Sequence, residues 1–520
     1  MTNRHRYLLI VFVFAVLSAV VAAYSLRNRN VPLEQCSPIA RVAKIRPDYC
    51  GTVIPPNIAP LNFLVQEDGI QYCVRIRSGQ GKPIEVFSKN ARIIIPQKRW
   101  HKLLDENKGE ELYFDVFVKT EDNRWIQFET ITNKIAQEPI DSFMVYRKIY
   151  PVHGSWSKMG IYQRNLHNFD ELPILDNRYL GFECFNCHTF CNNQPGKMLI
   201  GIRSSDYGSG TLLAEDGMVS KVGTNFGYSS WHPSGRLAAY SINNVRQFFH
   251  TASGEVRDVV DLDSLLAYYM VDSKTVRTVP QLSRKDRLET YPAWSPDGRY
   301  LYFSSAAMLW SDREKVPPEH WDKVRYDLMR ISYEVESDTW GQLETVLSSE
   351  DTGLSILEPR VSPDGRWLLF CMCEYGCFPV YQPSSDLHIM DLSTGRYERL
   401  ACNSDQSESW HCWSSNSRWI VFSSKRDYGV FTRSYFSYID GQGGASKAFL
   451  LPQKDPGFYD WCLKTYSVPE LVTGPVRTAG EQLGRVVRSS RQIGVDMPIT
   501  MATPEAGGLP SHDEPWQQRE

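Results

Sequence analysis

Beyond residue 26 the chain has no apolar run long enough to cross a bilayer as a helix, which takes about 20 residues. It also lacks a strong excess of either charge: 57 Lys and Arg stand against 60 Asp and Glu, a net charge of −3. With no basic surplus, nucleic-acid binding has no support in the composition. Gly-x-Ser-x-Gly, His-Glu-x-x-His and the phosphate-binding glycine loop are all missing, which removes the usual signatures of hydrolases and nucleotide enzymes. An enzyme is therefore not the first expectation.

The N-terminus does carry one long uncharged stretch. Tyr7–Leu26 follows Arg4 and Arg6 and is long enough to span a membrane. Val21-Ala22-Ala23 also fits a signal-peptidase site, although the stretch is long for a signal peptide's apolar region. Residues 1–30 are thus expected to be a membrane anchor or a signal peptide. Either way the bulk of the chain is expected outside the inner membrane: anchored on its periplasmic side, or soluble in the periplasm if the segment is cleaved. The 12 Cys suit an oxidising compartment. Cys36 with Cys50, and Cys402 with Cys412, could bridge or could remain buried thiols.

Composition also predicts the fold class. Fourteen Trp, 27 Tyr, 30 Pro and 34 Gly favour short strands joined by tight turns, so a mainly β protein is expected. Residues 31–60 read as an extended leader. Residues 61–137 read as a small β-sandwich, with strands at Gln71–Arg77, Pro83–Ser88, Arg92–Ile95, Glu111–Lys119 and Arg124–Thr132 and a short helix near Lys98–Glu106. Residues 138–195 read as an ordered aromatic arm, and 471–520 as a disordered tail.

Residues 196–470 hold the clearest signal, a repeat. Trp231-His-Pro-Ser-Gly-Arg, Trp294-Ser-Pro-Asp-Gly-Arg, Val361-Ser-Pro-Asp-Gly-Arg and Trp413-Ser-Ser-Asn-Ser-Arg are each followed by an apolar β run, at spacings of 63, 67 and 52 residues. Pro presets the first turn position and Gly takes the left-handed one. Such units bury their faces only by stacking side by side, which predicts a β-propeller of about six blades. The fourth unit lacks both Pro and Gly, so a looser turn is expected there.

One motif carries chemistry. Cys184-Phe-Asn-Cys187-His188 is the spacing of covalent c-type haem attachment. Cys184 and Cys187 would form the thioethers of haem c, and His188 would be the proximal iron ligand. Met198 is a candidate sixth ligand, with His232 and His250 as alternatives, and Met159 and His167 in the arm could also fold back over the haem. An open sixth position would instead permit peroxidase-type chemistry. The same residues could form a disulfide, or, with Cys191, a Cys₃His metal set. Cys371, Cys373 and Cys377 form a second cysteine cluster with no histidine close in sequence, so packing or a disulfide is expected there.

The repeated Trp-Ser-Pro-Asp-Gly-Arg unit resembles TolB-like, WD-like propeller repeats. With Met159–Leu166, Cys184–Phe190 and Ser230–Gly235, it is similar to exported propeller proteins that carry a c-type haem motif and are often labelled cytochrome c biosynthesis proteins. The resemblance covers roughly residues 50–475. It implies a six-bladed propeller, a β-rich N-terminal domain and a periplasmic location. Together these readings predict an exported c-type haem protein for electron transfer, or for docking an unidentified periplasmic redox partner. The alternatives are a haem-free protein–protein interaction scaffold and a haem peroxidase.

Overall fold

The computed structural model describes residues 36–151, 159–180, 184–204, 206–251, 255–489 and 493–494. The expected N-terminal anchor or signal peptide, and the end of the expected tail, lie outside these residues. Among the described residues no helix is long and apolar enough to cross a membrane. The chain divides into two units.

The smaller unit contains residues 60–135. Its strands follow the sequence pattern closely: Gln71–Arg77 and Glu111–Lys119 form as expected and pair antiparallel, and Trp125–Glu129 and Ile131–Ile135 flank the latter. A smaller sheet of Ile45–Arg46, Phe63–Val65 and Arg92–Ile93 accompanies them. Phe63 of the small sheet stacks on Phe114 of the large one at 5.9 Å, and Trp100 of the helix Gln97–Glu106 meets the same ring edge-on. The expected two-sheet sandwich therefore has a helix as part of its second layer.

Among the described residues, the larger unit contains six four-stranded antiparallel sheets. Their neighbouring faces bury one another. Leu199 and Leu213 of the first sheet pack with Ala238, Tyr240 and Ala267 of the second. Leu237 and Leu266 of the second pack with Leu301 and Ile331 of the third. Sheets that can hide both faces only against their neighbours make a β-propeller.

The turn chemistry sets each blade's entry. In Ser295-Pro-Asp-Gly298, the Gly298 N–H donates to Ser295 O at 2.9 Å, and Asp297 accepts from Ser295 Oγ at 2.6 Å and from Arg299 N at 3.0 Å. Gly298 sits at φ +74°, the left-handed region that favours glycine. The fourth repeat is not looser. Ser417 takes φ +60° and its N–H reaches Ser414 O at 3.0 Å. Asn416 replaces Asp as acceptor for Ser414 Oγ at 2.6 Å.

Two further expectations are corrected. The arm at 138–195 is part of the propeller: Phe143–Ile149, Gly160–Asn165 and Glu171–Asp176 are the outer strands of the sixth blade. The start of the expected tail is ordered: Leu471 and Val472 complete that blade's inner strand, Thr465–Val472, which pairs with Phe143–Ile149 and closes the ring with segments from before the first blade and after the fifth. The helix Gly480–Arg488 follows, with Leu483 and Val487 buried in the core between the sixth and first blades. Of the two alternatives left open for Cys36, Cys50, Cys402 and Cys412, the structure shows thiols, with no disulfide among the four.

Candidate functional site

Each blade begins with an inner strand, and five of the six are broken at the same level. Pairing with the next strand shifts register between Asn186 and His188, Thr290 and Ala293, Leu357 and Arg360, and Ser409 and Cys412. In the sixth blade the inner strand bulges at the same level, with Val468 and Pro469 standing opposite Tyr146 alone. At four of these bulges the extra residue is left-handed without being glycine: Tyr291 at +54°, Glu358 at +55°, Trp410 at +49° and Val468 at +51°. That conformation costs an L-residue roughly 1–2 kcal/mol. A bulge re-aims side chains and recurs beside functional sites, and strain of this kind persists only where the surrounding structure imposes it.

The bulges converge on one cavity, a funnel at the propeller's centre. Its wall takes His188, Ser229, Pro292, Pro359, His411 and Pro469 from the six inner strands, with Glu358, Arg360 and Glu470 beside them. Tyr228, Tyr291 and Trp410 form an aromatic cluster at the same level, with ring centroids 4.2–6.1 Å apart. The space is about 30 Å³, room for a water or two.

The groups around the funnel are shifted mainly by burial. His188 and His411 are pushed down to about 3, burial being the main cause and the nearby Arg147 or Arg360 adding to it. Burial raises Glu358 and Glu470 to about 7. Near neutral pH both imidazoles are therefore uncharged, and both carboxyls hold their protons to well above the usual carboxylate range.

The haem motif lies within this architecture. Cys184–Phe190 is the inner strand of the first blade, and its bulge falls at Cys187–His188. His188 is 2% exposed and faces the funnel. Cys184 is 8% exposed and packs in the core between the sixth and first blades with Val145, Met198 and Val472. The Cys187 side chain lies outside the description. A haem does not fit these residues as arranged: one sulfur is inside a packed core, the imidazole is enclosed, and the adjoining space is water-sized.

The proposed sixth ligands are not brought to His188's cavity. Met198 lies at the start of the next strand, Lys197–Arg203, and pairs with Phe190, inside the same core. His232 is occupied on both ring nitrogens, by Ser234 Oγ at 2.7 Å and Gly298 O at 3.1 Å. It ties the turns of two adjacent blades together. His250 lies 3.7 Å from Asp258, beside Trp321. Met159 is buried in the core, and exposed His167 approaches Asn57 O at 3.2 Å. Cys191 Sγ points to His232 O at 3.9 Å, which leaves no Cys₃His set with His188.

Sequence reading missed a different constellation. Cys371 does have a histidine nearby, brought from the next blade. Its Sγ lies 3.6 Å from His411 Nδ1 and 3.5 Å from Glu358 Oε2. The signal was present in the repeats. Placed bulge on bulge, Tyr291-Pro292, Glu358-Pro359, Trp410-His411, Val468-Pro469 and Cys187-His188 fall in one column, three residues before Trp294, Val361, Trp413, Leu471 and Phe190.

No family model matches the chain, and no curated protein does. Solved structures resemble it weakly. Prolyl oligopeptidase B from Galerina marginata aligns at 10% identity and TM-score 0.33, covering 65% of this chain and 42% of that one. The tricorn protease aligns at 11% and 0.32, covering 76% and 43%. Oligogalacturonate lyase from Vibrio parahaemolyticus aligns at 9% and 0.30, covering 72% and 100%. The chain spans less than half the length of the first two. The propeller assignment rests on the six sheets themselves, and no activity follows from these likenesses.

Proposed function

We propose that the chain is an exported β-propeller binding protein whose recognition surface surrounds the central funnel, and that Cys184–His188 serves as an inner blade strand. One observation carries this reading: the motif occupies the same bulge column as four other inner strands, so the blade architecture already accounts for His188 at the funnel wall. Export is supported by the N-terminal apolar stretch. On this reading the propeller acts as an interaction scaffold rather than as an electron carrier.

The spacing of Cys184, Cys187 and His188 favours a second reading, a c-type haem protein, which would require the first blade's inner strand to open. The visible spectrum of protein produced alongside an active haem-attachment system separates the two. The scaffold reading expects no Soret band. A Soret band that survives denaturation would establish the second.

A further inference from the structure

We propose that Glu358, Cys371 and His411 form a three-ligand site for a zinc-class divalent cation in the wall of the funnel. The three residues come from two adjacent blades: Glu358 from Ser355–Val361, Cys371 from Trp367–Cys373 and His411 from Glu408–Trp413. All are buried, and one ligand atom from each lies within 4.8 Å of the others.

The spacing matches tetrahedral coordination. Zinc binds sulfur at about 2.3 Å and imidazole nitrogen or carboxylate oxygen at about 2.0–2.2 Å, which sets ligand atoms about 3.4–3.6 Å apart. Here Sγ to Oε2 is 3.5 Å, Sγ to Nδ1 is 3.6 Å and Nδ1 to Oε2 is 3.9 Å. A soft thiolate with an imidazole and one carboxylate favours zinc over the oxygen-seeking calcium or magnesium.

Two independent features point the same way. His411 Nε2 lies 3.3 Å from Leu369 O. A proton there leaves the Nδ1 lone pair facing Cys371 and Glu358, the outer-shell arrangement of metal-bound histidines. Glu358 is also held for the purpose: Oε2 accepts from Trp410 N at 2.6 Å, while its buried Oε1 makes no hydrogen bond. Glu358 and His411 both line the funnel cavity, so the fourth position would open to water or to a bound ligand. Arg360 is the cation beside the site. Binding displaces the Cys371 thiol proton and any proton on Glu358. The site does not depend on whether haem is attached at Cys184 and Cys187.

The test is titration of the purified, chelator-treated full chain with Co²⁺. One equivalent should give a thiolate-to-cobalt charge-transfer band and the intense visible absorption of tetrahedral cobalt, both displaced by Zn²⁺. Cys371→Ser should abolish the charge-transfer band, and Cys373→Ser should retain it. Glu358→Gln, which keeps the oxygen facing Trp410 N, should retain the band but weaken Co²⁺ by more than the roughly 10–100-fold that loss of an outer-shell partner costs. A folded wild-type chain without the band would overturn the proposal, as would a band undiminished in folded Cys371→Ser. If Cys371→Ser does not fold, Glu358→Gln decides: unchanged affinity overturns the site.

Discussion

Gly298 shows how much one residue can decide here. Its φ of +74° is costly for any side chain, and a Cβ there would lie 2.3 Å from His232 Nε2 on the neighbouring blade. Gly298→Ala should therefore destabilise the protein by about 2 kcal/mol or more, read as a lower urea midpoint at unchanged m-value. His188 makes a second prediction. An unfolded imidazole takes its proton near 6.5, whereas folded His188 holds one only below about 3. As pH falls through 6.5 the unfolded state binds a proton that the native state refuses, so His188's contribution is lost progressively and levels off below about 3. Glu358 and Glu470 act in the opposite direction, losing their contribution as pH rises from about 4.5 to about 7. His188→Leu should thus gain stability relative to wild type as pH falls from 6.5 to 4. Urea unfolding at several pH values would show the two curves converging or crossing, and a constant gap would contradict the assignment.

At the scale of elements, what was legible in the sequence was local. The Ser-Pro-Asp-Gly turns specify their own hydrogen bonds, and the strands at Gln71–Arg77 and Glu111–Lys119 form where alternation and β-formers place them. The sixth blade was not legible. It is assembled from Thr465–Val472 and Phe143–Ile149, some 300 residues apart, and no local period records that pairing. The inner-strand bulges were hidden for a related reason: a one-residue insertion breaks the alternation on which strand reading relies. The Cys-x-x-Cys-His motif then stood out as chemistry before its place in the repeat was visible. Closure predicts that ending the chain at Lys464 removes an inner strand and leaves Phe143–Ile149 as an unpaired edge. That variant should lose cooperative unfolding and aggregate, because a bare edge strand recruits other chains. Circular dichroism during a thermal ramp, with light scattering, would register both effects. A monomeric product with a wild-type transition would show that the ring does not depend on this strand.

Across the whole molecule, the propeller gathers residues that are far apart in sequence into one small funnel. Two neutral histidines, two carboxyls whose proton affinity burial has raised, an arginine and an aromatic cluster meet where six inner strands converge. Fold class was readable because each blade repeats the same turn. The Glu358–Cys371–His411 constellation was not, because its members lie on two blades and only blade packing brings them together. The same packing decides how Cys184–His188 is read: in a free arm it is a haem-attachment motif, while in an inner strand Cys184 is core and His188 is funnel wall. The chemical state of two sulfurs therefore decides between the two roles. The most direct test is the mass of the peptide containing Cys184 and Cys187, taken from chain matured in cells with an active haem-attachment system. An inner-strand role gives the peptide's own mass, allowing only for the two hydrogens lost if the cysteines oxidise. A peptide carrying the added mass of haem would contradict it.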